Sequence, residues 1–250
     1  MAPLLNMNQI GKIKPDNPEE WIFRDVSATI ERGERIALLG ASGTGKSTLL
    51  RIAALLDARD EGEILFEGGS SAQANPQQWR KKIGYVAQMP VMLPGTVEQN
   101  LRTASELHGM PFDEPLARSC MSGAGLEALD WKKPASELSG GEKQRVALVR
   151  SMLLQPAVLL LDETTSSLDP GSKEMVELML NEWALSRGTA MIWITHDLGQ
   201  SRAVSDQIWF LGEGKLLERS GTVAFFERPL TEQARRFIQK TYGKEGAADE

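Results

Sequence analysis

The sequence has 250 residues, of which 41% are hydrophobic and 25% are charged, and its formal net charge at pH 7 is −6. These proportions are typical of an ordinary globular protein and exclude a disordered or low-complexity chain. The acidic balance argues against a nucleic-acid-binding surface, so no nucleic-acid partner is expected. Cys120 is the single cysteine, so no disulfide can form within the chain, and a reducing compartment is the simpler expectation.

The sequence contains no apolar run of the roughly 18 residues that a membrane-spanning helix needs. The N-terminal segment MAPLLNMNQIGKIK lacks the long apolar region and cleavage site of a secretory signal. We therefore expect a cytoplasmic protein that reaches a membrane only through a partner protein.

Short apolar runs alternate with segments of helical character along much of the chain. The runs predict buried parallel strands at 35–40 (RIALLG), 157–163 (AVLLLDE) and 190–195 (AMIWIT). Segments 61–68 and 206–217 contain glycine turns typical of hairpin or edge strands. The pattern predicts the α/β class, with a mainly parallel sheet and a small antiparallel β element.

Strand patterns are absent between Met89 and Glu137, where VEQNLRTASELHG and PLARSCMSGAG predict helices. We interpret 89–137 as a helical subdomain inserted into an α/β core made of 1–88 and 138–225. The remaining residues predict a terminal helix at 226–242 and a frayed tail at 244–250. The whole chain is thus expected to form one domain.

The segment GASGTGKS at 40–47 matches the phosphate-loop pattern G-x-x-x-x-G-K-[ST]. It follows a predicted strand and precedes a predicted helix, which disfavours the alternative of a glycine-rich turn that binds nothing. In such a loop the backbone amides cradle phosphates, the lysine neutralises them and the following hydroxyl binds Mg²⁺. The predicted nucleotide contacts here are Gly40, Ala41, Ser42, Gly43, Thr44, Gly45, Lys46, Ser47 and Thr48.

Two acids end the apolar run VLLLDE. Asp162 and Glu163 stand at the carboxyl end of a predicted buried strand, where ligands of open α/β sheets collect. Asp162 can hold Mg²⁺ and Glu163 can activate a water molecule. A strand also ends in acids when it simply reaches solvent, so this pair alone leaves both interpretations open.

Residues 138–152, LSGGEKQRVALVRSM, predict a helix that begins after a serine and two glycines. Ser139 and Glu142 fit the S-x-x-E capping box, which is a purely local helix start. The capping box accounts for neither Gly140 nor Gly141, and glycine is useful where another group must approach the backbone closely. Since exposed amides at a helix start also attract anions, the segment predicts contact with an anion.

Together these segments resemble the nucleotide-binding subunits of ATP-binding cassette (ABC) transporters, whose signature is LSGGEKQR. The resemblance implies a P-loop NTPase core and runs through nearly the whole chain. Its elements occur in the family's order: the phosphate loop 40–48, Gln88 in YVAQMP, the signature 138–145, the acidic strand 157–163, SSLD at 166–169 and ITHD at 194–197.

The resemblance implies the role of each site residue. Glu163, His196 and Gln88 would be catalytic, and Ser47, Gln88 and Asp162 would contact Mg²⁺. Two chains would close around two ATP molecules as a homodimer, so that the signature of one chain faces the nucleotide of the other. The γ-phosphate contacts of the signature would be Ser139, Gly140 and Gly141.

The chain departs from the family's pattern where an aromatic residue usually stacks on adenine. Lys12 stands near that place, and Trp21 is the nearest aromatic candidate, although an aromatic at a strand start is more often part of the core. Asp169 would lie at the dimer seam, or would simply cap the helix that begins at Pro170.

The chain is therefore expected to be an ATPase that drives a separate integral membrane permease from the cytoplasmic face of the membrane. Apolar residues after Gln88 would contact the permease if they are exposed, and they would be core if they are buried: Met89, Val91, Met92 and Leu93. A loose similarity to bacterial cassettes paired with metal-export permeases suggests a metal ion as cargo. The rival interpretations are a non-transport ABC protein that acts in assembly or repair and, less well matched, a phosphate-loop kinase.

Overall fold

The computed structural model describes residues 3–245, which form an α/β fold with two sheets. The strands are β1 (Leu5–Lys14), β2 (Asn17–Ile30), β3 (Arg35–Leu39), β4 (Glu61–Phe66), β5 (Gly69–Ser70), β6 (Ile83–Val86), β7 (Val158–Asp162), β8 (Ala190–Ile194), β9 (Gln207–Gly212) and β10 (Lys215–Gly221).

Helices occupy most of the chain between these strands. They are α1 (Lys46–Ala53), α2 (Pro76–Lys82), α3 (Val97–Leu107), α4 (Glu114–Gly123), the short 3-10 helix Ala135–Glu137, α5 (Gly140–Met152), α6 (Pro170–Arg187), α7 (Leu198–Val204), α8 (Thr222–Glu227) and α9 (Glu232–Glu245). Within the described range, no helix combines the length and the apolar character that crossing a membrane requires.

The larger sheet has the strand order β10-β9-β3-β8-β7-β6. All neighbouring pairs are parallel except β9 and β10, which form an antiparallel hairpin at one edge. The strands predicted from RIALLG, AVLLLDE and AMIWIT are β3, β7 and β8 at the centre of this sheet. The predicted fold class, a mainly parallel sheet with a small antiparallel element, is confirmed.

The smaller sheet is antiparallel, with the order β2-β1-β4-β5. Its long β1–β2 hairpin gives no regular alternation in sequence, because the register shifts at several points. Gln9 and Asp25 have left-handed backbone angles, with φ of 51° and 57°, so each interrupts the two-residue repeat of its strand.

The central strands are buried on both faces, and successive residues enter different clusters. Leu160 packs into the core between the two sheets. Leu159 and Leu161 pack on the other face, in a hydrophobic cluster with buried side chains of α3 to α6. Such burial explains why these strands read as continuous apolar runs. The parallel arrangement also brings their carboxyl ends to one edge, where the functional residues lie.

The segment predicted as a helical subdomain contains α3, α4 and the 3-10 helix. Its buried side chains, such as Val97 and Met121, belong to the same cluster as Leu161 and Trp193 of the sheet. The helical segment therefore has no core separate from that of the sheet. Its proposed boundaries at 89–137 stay a prediction.

The terminal helix predicted for 226–242 begins at Glu232 in the structure. The chain forms the short helix α8 before it, and Pro229 lies between α8 and α9. Arg228 is pushed out of the helical region (φ −144°, ψ 66°), as expected for a residue before proline. Of the predicted tail 244–250, residues 244 and 245 belong to α9, and the rest lies outside the described residues.

Candidate functional site

The phosphate loop connects β3 to α1 with its backbone in conformations that require glycine. Gly45 has φ 93°, and a Cβ on it would lie 2.5 Å from Cγ2 of Ile22. A Cβ on Gly40 would lie 2.2 Å from the carbonyl oxygen of Leu211. Both glycines are therefore required by contacts within the chain itself.

Lys46 is the first residue of α1 and is only 6% exposed. Its ammonium donates to the carbonyl oxygens of Gly40 and Ala41, each at 2.9 Å. Among the side chains that the structure describes, no carboxylate forms an ion pair with Lys46. Burial lowers the pKa of Lys46, while Glu163 and Asp162 oppose that shift. A largely buried cation with neutral partners fits an anionic phosphate.

Asp162 ends β7, is 3% exposed, and has both carboxylate oxygens hydrogen-bonded. Ser47 donates to Oδ1 at 2.9 Å, and the Tyr85 hydroxyl donates to Oδ2 at 2.8 Å. Burial and this hydrogen bond raise the pKa of Tyr85, so its phenol stays protonated as a donor.

The Ser47 and Asp162 oxygens lie beside the phosphate loop and are of the type that Mg²⁺ prefers. The described residues include no group of three or more His, Cys, Asp or Glu side chains arranged to hold a metal. The pair thus fits an ion that takes its remaining ligands from phosphates and water, as Mg²⁺ usually does.

Glu163 follows β7 in a left-handed backbone conformation, with φ 49°. His196 Nε2 lies 2.9 Å from its Oε1, and Gln88 Nε2 donates to its Oε2 at 2.9 Å. The three residues predicted to be catalytic come from three separate loops and meet at this carboxylate. The two neighbouring side chains fix its orientation.

A hollow of about 460 Å³ lies over the phosphate loop. Lys14 and Ile22 from the β1–β2 hairpin line one part of it, and Glu163 and His196 line another. This hollow has the location expected for a nucleotide on the phosphate loop.

Neither Lys12 nor Trp21 lines that hollow. The Lys12 ammonium pairs with Asp60 at 3.0 Å, and the Trp21 ring packs against Gly11 and under the Arg24 guanidinium. The described contacts of Trp21 are therefore packing contacts.

The start of α5 forms the predicted capping box. The Glu142 amide donates to Ser139 Oγ at 3.2 Å, and the Ser139 amide donates to Glu142 Oε2 at 2.7 Å. A Cβ on Gly140 would meet no described atom within 4 Å, and one on Gly141 would meet only Cδ2 of Leu168, at 3.3 Å. Gly140 thus faces open space in the single chain, whereas a side chain at Gly141 would press on Leu168.

The signature residues Ser139, Gly140 and Gly141 do not line the hollow over the phosphate loop. One chain therefore does not bring its own signature to its own phosphate loop. Asp169 accepts from the Ser172 amide at 3.0 Å and caps α6, as its local interpretation predicts. Its place at a dimer seam stays a prediction.

Sequence reasoning missed two side chains that support the site. Tyr85 lies on β6, a strand that was not predicted, three residues before Gln88. Gln144 is 1% exposed and donates from Nε2 to the carbonyl oxygen of Ala87 at 3.1 Å, which ties α5 to the segment before Gln88. The sequence feature that could have revealed Tyr85 is its hydroxyl group within an otherwise apolar segment.

Comparison with known proteins agrees with this geometry. The model of the ABC transporter family matches residues 23–166. The chain is similar to the phosphate import ATP-binding protein PstB of Campylobacter jejuni, with 35% identity over 88% of this chain and 92% of that protein. It is also similar to the Escherichia coli protein named Probable iron export ATP-binding protein FetA, with 35% identity over 78% of this chain and 86% of that protein.

A solved structure of a bacterial Atm1-family ABC exporter with ATP bound superposes with a TM-score of 0.83 at 25% identity. The superposition covers 98% of this chain and 42% of the exporter chain. On the family match and these relatives, the chain belongs to the ABC transporter family, as an ATP-binding subunit that couples ATP hydrolysis to transport.

Proposed function

We propose that the chain binds ATP with Mg²⁺ on its phosphate loop, closes on a second copy around two nucleotides, and drives a separate permease from the cytoplasmic face of a membrane. One observation carries the proposal: a Cβ on Gly140 would meet no neighbouring side chain or loop of the described residues within 4 Å, and neither Gly140 nor Gly141 lines the hollow over the phosphate loop of its own chain. The site is therefore complete only if another copy supplies the signature.

Binding would rest on Lys46 and the backbone amides of residues 40–48, which face the phosphates. Ser47 and Asp162 would hold Mg²⁺, which supplies positive charge against the phosphate oxygens. From the partner copy, the amides at the start of α5 would point at the γ-phosphate, with the positive end of the helix dipole adding to the attraction.

Hydrolysis would depend on Glu163 as a general base that takes a proton from the attacking water. Gln88 and His196 hold its two carboxylate oxygens at 2.9 Å each, so the base is oriented before the reaction. Gln88 would also contact Mg²⁺ once nucleotide is bound, and His196 would bond to the γ-phosphate.

The dimer test uses Glu163→Gln, which keeps the shape of the side chain and removes its basicity. We expect kcat to fall by about 10²–10⁴ while ATP binding survives. The variant should then accumulate as a dimer in ATP and return to monomer in ADP, as measured by size-exclusion chromatography with light scattering. Gly140→Asp in the same background should abolish the dimer, because it places a carboxylate against the γ-phosphate.

Two results would contradict this arrangement. The first is a Glu163→Gln protein that binds ATP but stays monomeric well above the nucleotide's dissociation constant. The second is an ATP-dependent dimer that Gly140→Asp leaves unchanged, which would restrict the two glycines to the local helix cap.

The proposed permease surface lies after Gln88. Met89, Val91 and Leu93 are 80%, 70% and 40% exposed, whereas Met92 packs inward against the helical segment. A groove of about 280 Å³ adjoins this surface, with Val91 and Leu93 in its wall and the Arg150 guanidinium beside them. An apolar patch with a cationic side chain fits an amphipathic segment of a membrane partner.

Val91→Asp tests this surface, with Leu185→Asp on α6 as the control because Leu185 is 77% exposed elsewhere. Val91→Asp should reduce membrane association in cell fractions and leave the ATPase activity of the purified chain largely intact. Leu185→Asp should change neither. Normal membrane association of Val91→Asp would contradict the docking surface.

The cargo proposed from the sequence is a metal ion, which agrees with the name of the iron export relative. The phosphate import relative has the same 35% identity, so identity favours neither cargo nor direction. Both relatives are named for transport, and no feature described above favours an assembly or repair factor. Transport by vesicles that hold the chain and its permease, assayed with iron and with phosphate, tests the cargo.

A further inference from the structure

We propose that Tyr85 is a positioning residue for Asp162, and that its hydroxyl sets the carboxylate orientation on which Mg²⁺ binding depends. The inference rests on the proposed function, because it needs Mg²⁺ at Ser47 and Asp162. It gives a role to a residue to which the sequence analysis assigns none.

The geometry at Asp162 leaves one oxygen for each neighbour. The Ser47 hydroxyl donates to Oδ1 at 2.9 Å. The Tyr85 hydroxyl, on the neighbouring strand β6, donates to Oδ2 at 2.8 Å. With 3% exposure, the carboxylate has little water to replace a lost partner. Removal of the Tyr85 hydroxyl would leave Oδ2 without its donor and free the carboxylate to rotate.

The Tyr85 ring is held in place independently of its hydroxyl. The ring is half-buried and packs against the core between the two sheets, and its backbone pairs in register with Leu160 of β7. Arg51 of α1 interacts electrostatically with the same hydroxyl and is itself fixed by two hydrogen bonds to Asp57, at 2.7 and 2.9 Å. The Tyr85 hydroxyl therefore lies in a fixed position beside Asp162.

The short segment from Tyr85 to Gln88 contacts both acids of the site. Tyr85 donates to Asp162, and Gln88, three residues further along, donates to Glu163. The end of β6 and the two residues after it thus contact both carboxylates. A shift of the segment around Gln88 would disturb both carboxylates.

Partners that orient a metal ligand typically contribute 10–100-fold in metal affinity. We therefore expect Tyr85→Phe, which keeps the ring and loses only the oxygen, to weaken metal binding by about 10-fold. Binding of nucleotide without metal should not change, because Lys46 and the phosphate loop are untouched. A merely structural role would alter thermal stability without this metal dependence.

The experiment titrates Mn²⁺, as a probe for Mg²⁺, into protein saturated with a non-hydrolysable ATP analogue, and follows free Mn²⁺ by electron paramagnetic resonance. Affinity for the analogue in EDTA is measured in parallel by calorimetry. The matched control is Ser151→Ala, which removes a hydroxyl bonded only to its own helix, at the Ala147 carbonyl oxygen. Parent and control should agree in both measurements, and Tyr85→Phe should differ only in Mn²⁺ affinity.

Unchanged Mn²⁺ affinity in Tyr85→Phe would overturn the inference while leaving the proposed function intact. An equal loss of analogue affinity in EDTA would also overturn it, because the phosphate loop itself would then be disturbed. A parent protein that binds no analogue under either condition would contradict the proposed function and this inference with it.

Discussion

Two glycine pairs of this chain, one in the phosphate loop and one at the start of α5, have different surroundings. Gly40 and Gly45 of the phosphate loop are in crowded positions, where a Cβ would come within 2.2 Å and 2.5 Å of neighbouring atoms. Gly140 and Gly141 begin α5 with no close neighbour except Leu168. The fold of the chain requires Gly40 and Gly45, whereas Gly141 is restricted only by the Leu168 side chain at 3.3 Å and Gly140 by no described neighbour within 4 Å.

This difference in surroundings indicates which glycine is a candidate for contact with another molecule. A glycine that its own chain does not need makes sense where a group from outside approaches the backbone. The capping box supplies a local reason for Ser139 and Glu142 but leaves the glycines unexplained. The comparison thus separates the glycines that the phosphate loop itself requires from the signature glycines, which the proposed function assigns to contact with a second copy.

Lys46→Ala is the strongest test of the phosphate-loop side. The substitution removes a buried cation whose only described partners are two carbonyl oxygens, so the phosphates lose their main fixed positive charge. A charged hydrogen bond contributes roughly 1.5–3 kcal/mol, so we expect ATP affinity to fall by about 10–100-fold. Calorimetry measures the ATP affinity of the variant. An affinity equal to that of the parent would contradict the phosphate-loop assignment.

The matched pair Gly45→Ala and Gly140→Ala tests the comparison directly. Gly45→Ala combines a left-handed backbone angle with a clash against Ile22, and should lower the free energy of unfolding by about 2–5 kcal/mol. Gly140→Ala should change it by at most about 1 kcal/mol, since alanine is the better helix former. Denaturant unfolding measures both, and equal losses would remove the distinction between the two pairs.

Ser139→Ala should have a small effect on stability. It removes the side chain that accepts from the Glu142 amide and should cost about 1 kcal/mol, or roughly 2–4 °C in Tm. Thermal unfolding measures this loss. If Ser139 also faces the partner's nucleotide, the ATP-dependent dimer should weaken more than this loss of stability explains, whereas an unchanged dimer would limit Ser139 to the cap.

The strands that position the site were predictable because of how they are buried. Burial on both faces of β3, β7 and β8 produces uninterrupted apolar runs that end at a glycine or an acid. The β1–β2 hairpin was not predicted, because Gln9 and Asp25 break its alternation with left-handed backbone angles. The break between α8 and α9 could have been placed from Pro229, since proline cannot continue a helix.

The α/β class, the phosphate loop and the identity of the acids could be predicted from the sequence alone, because each depends on local patterning or on a short motif. The contacts of Gln88 and His196 with Glu163, and of Tyr85 with Asp162, could be seen only in the folded chain, since these residues come from separate loops and strands of one sheet edge. The tertiary structure also placed Lys14 and Ile22, rather than Trp21, beside the nucleotide hollow. The physical reason is that a side chain's direction depends on register, and register in the β1–β2 hairpin follows from bulges that sequence periodicity does not show.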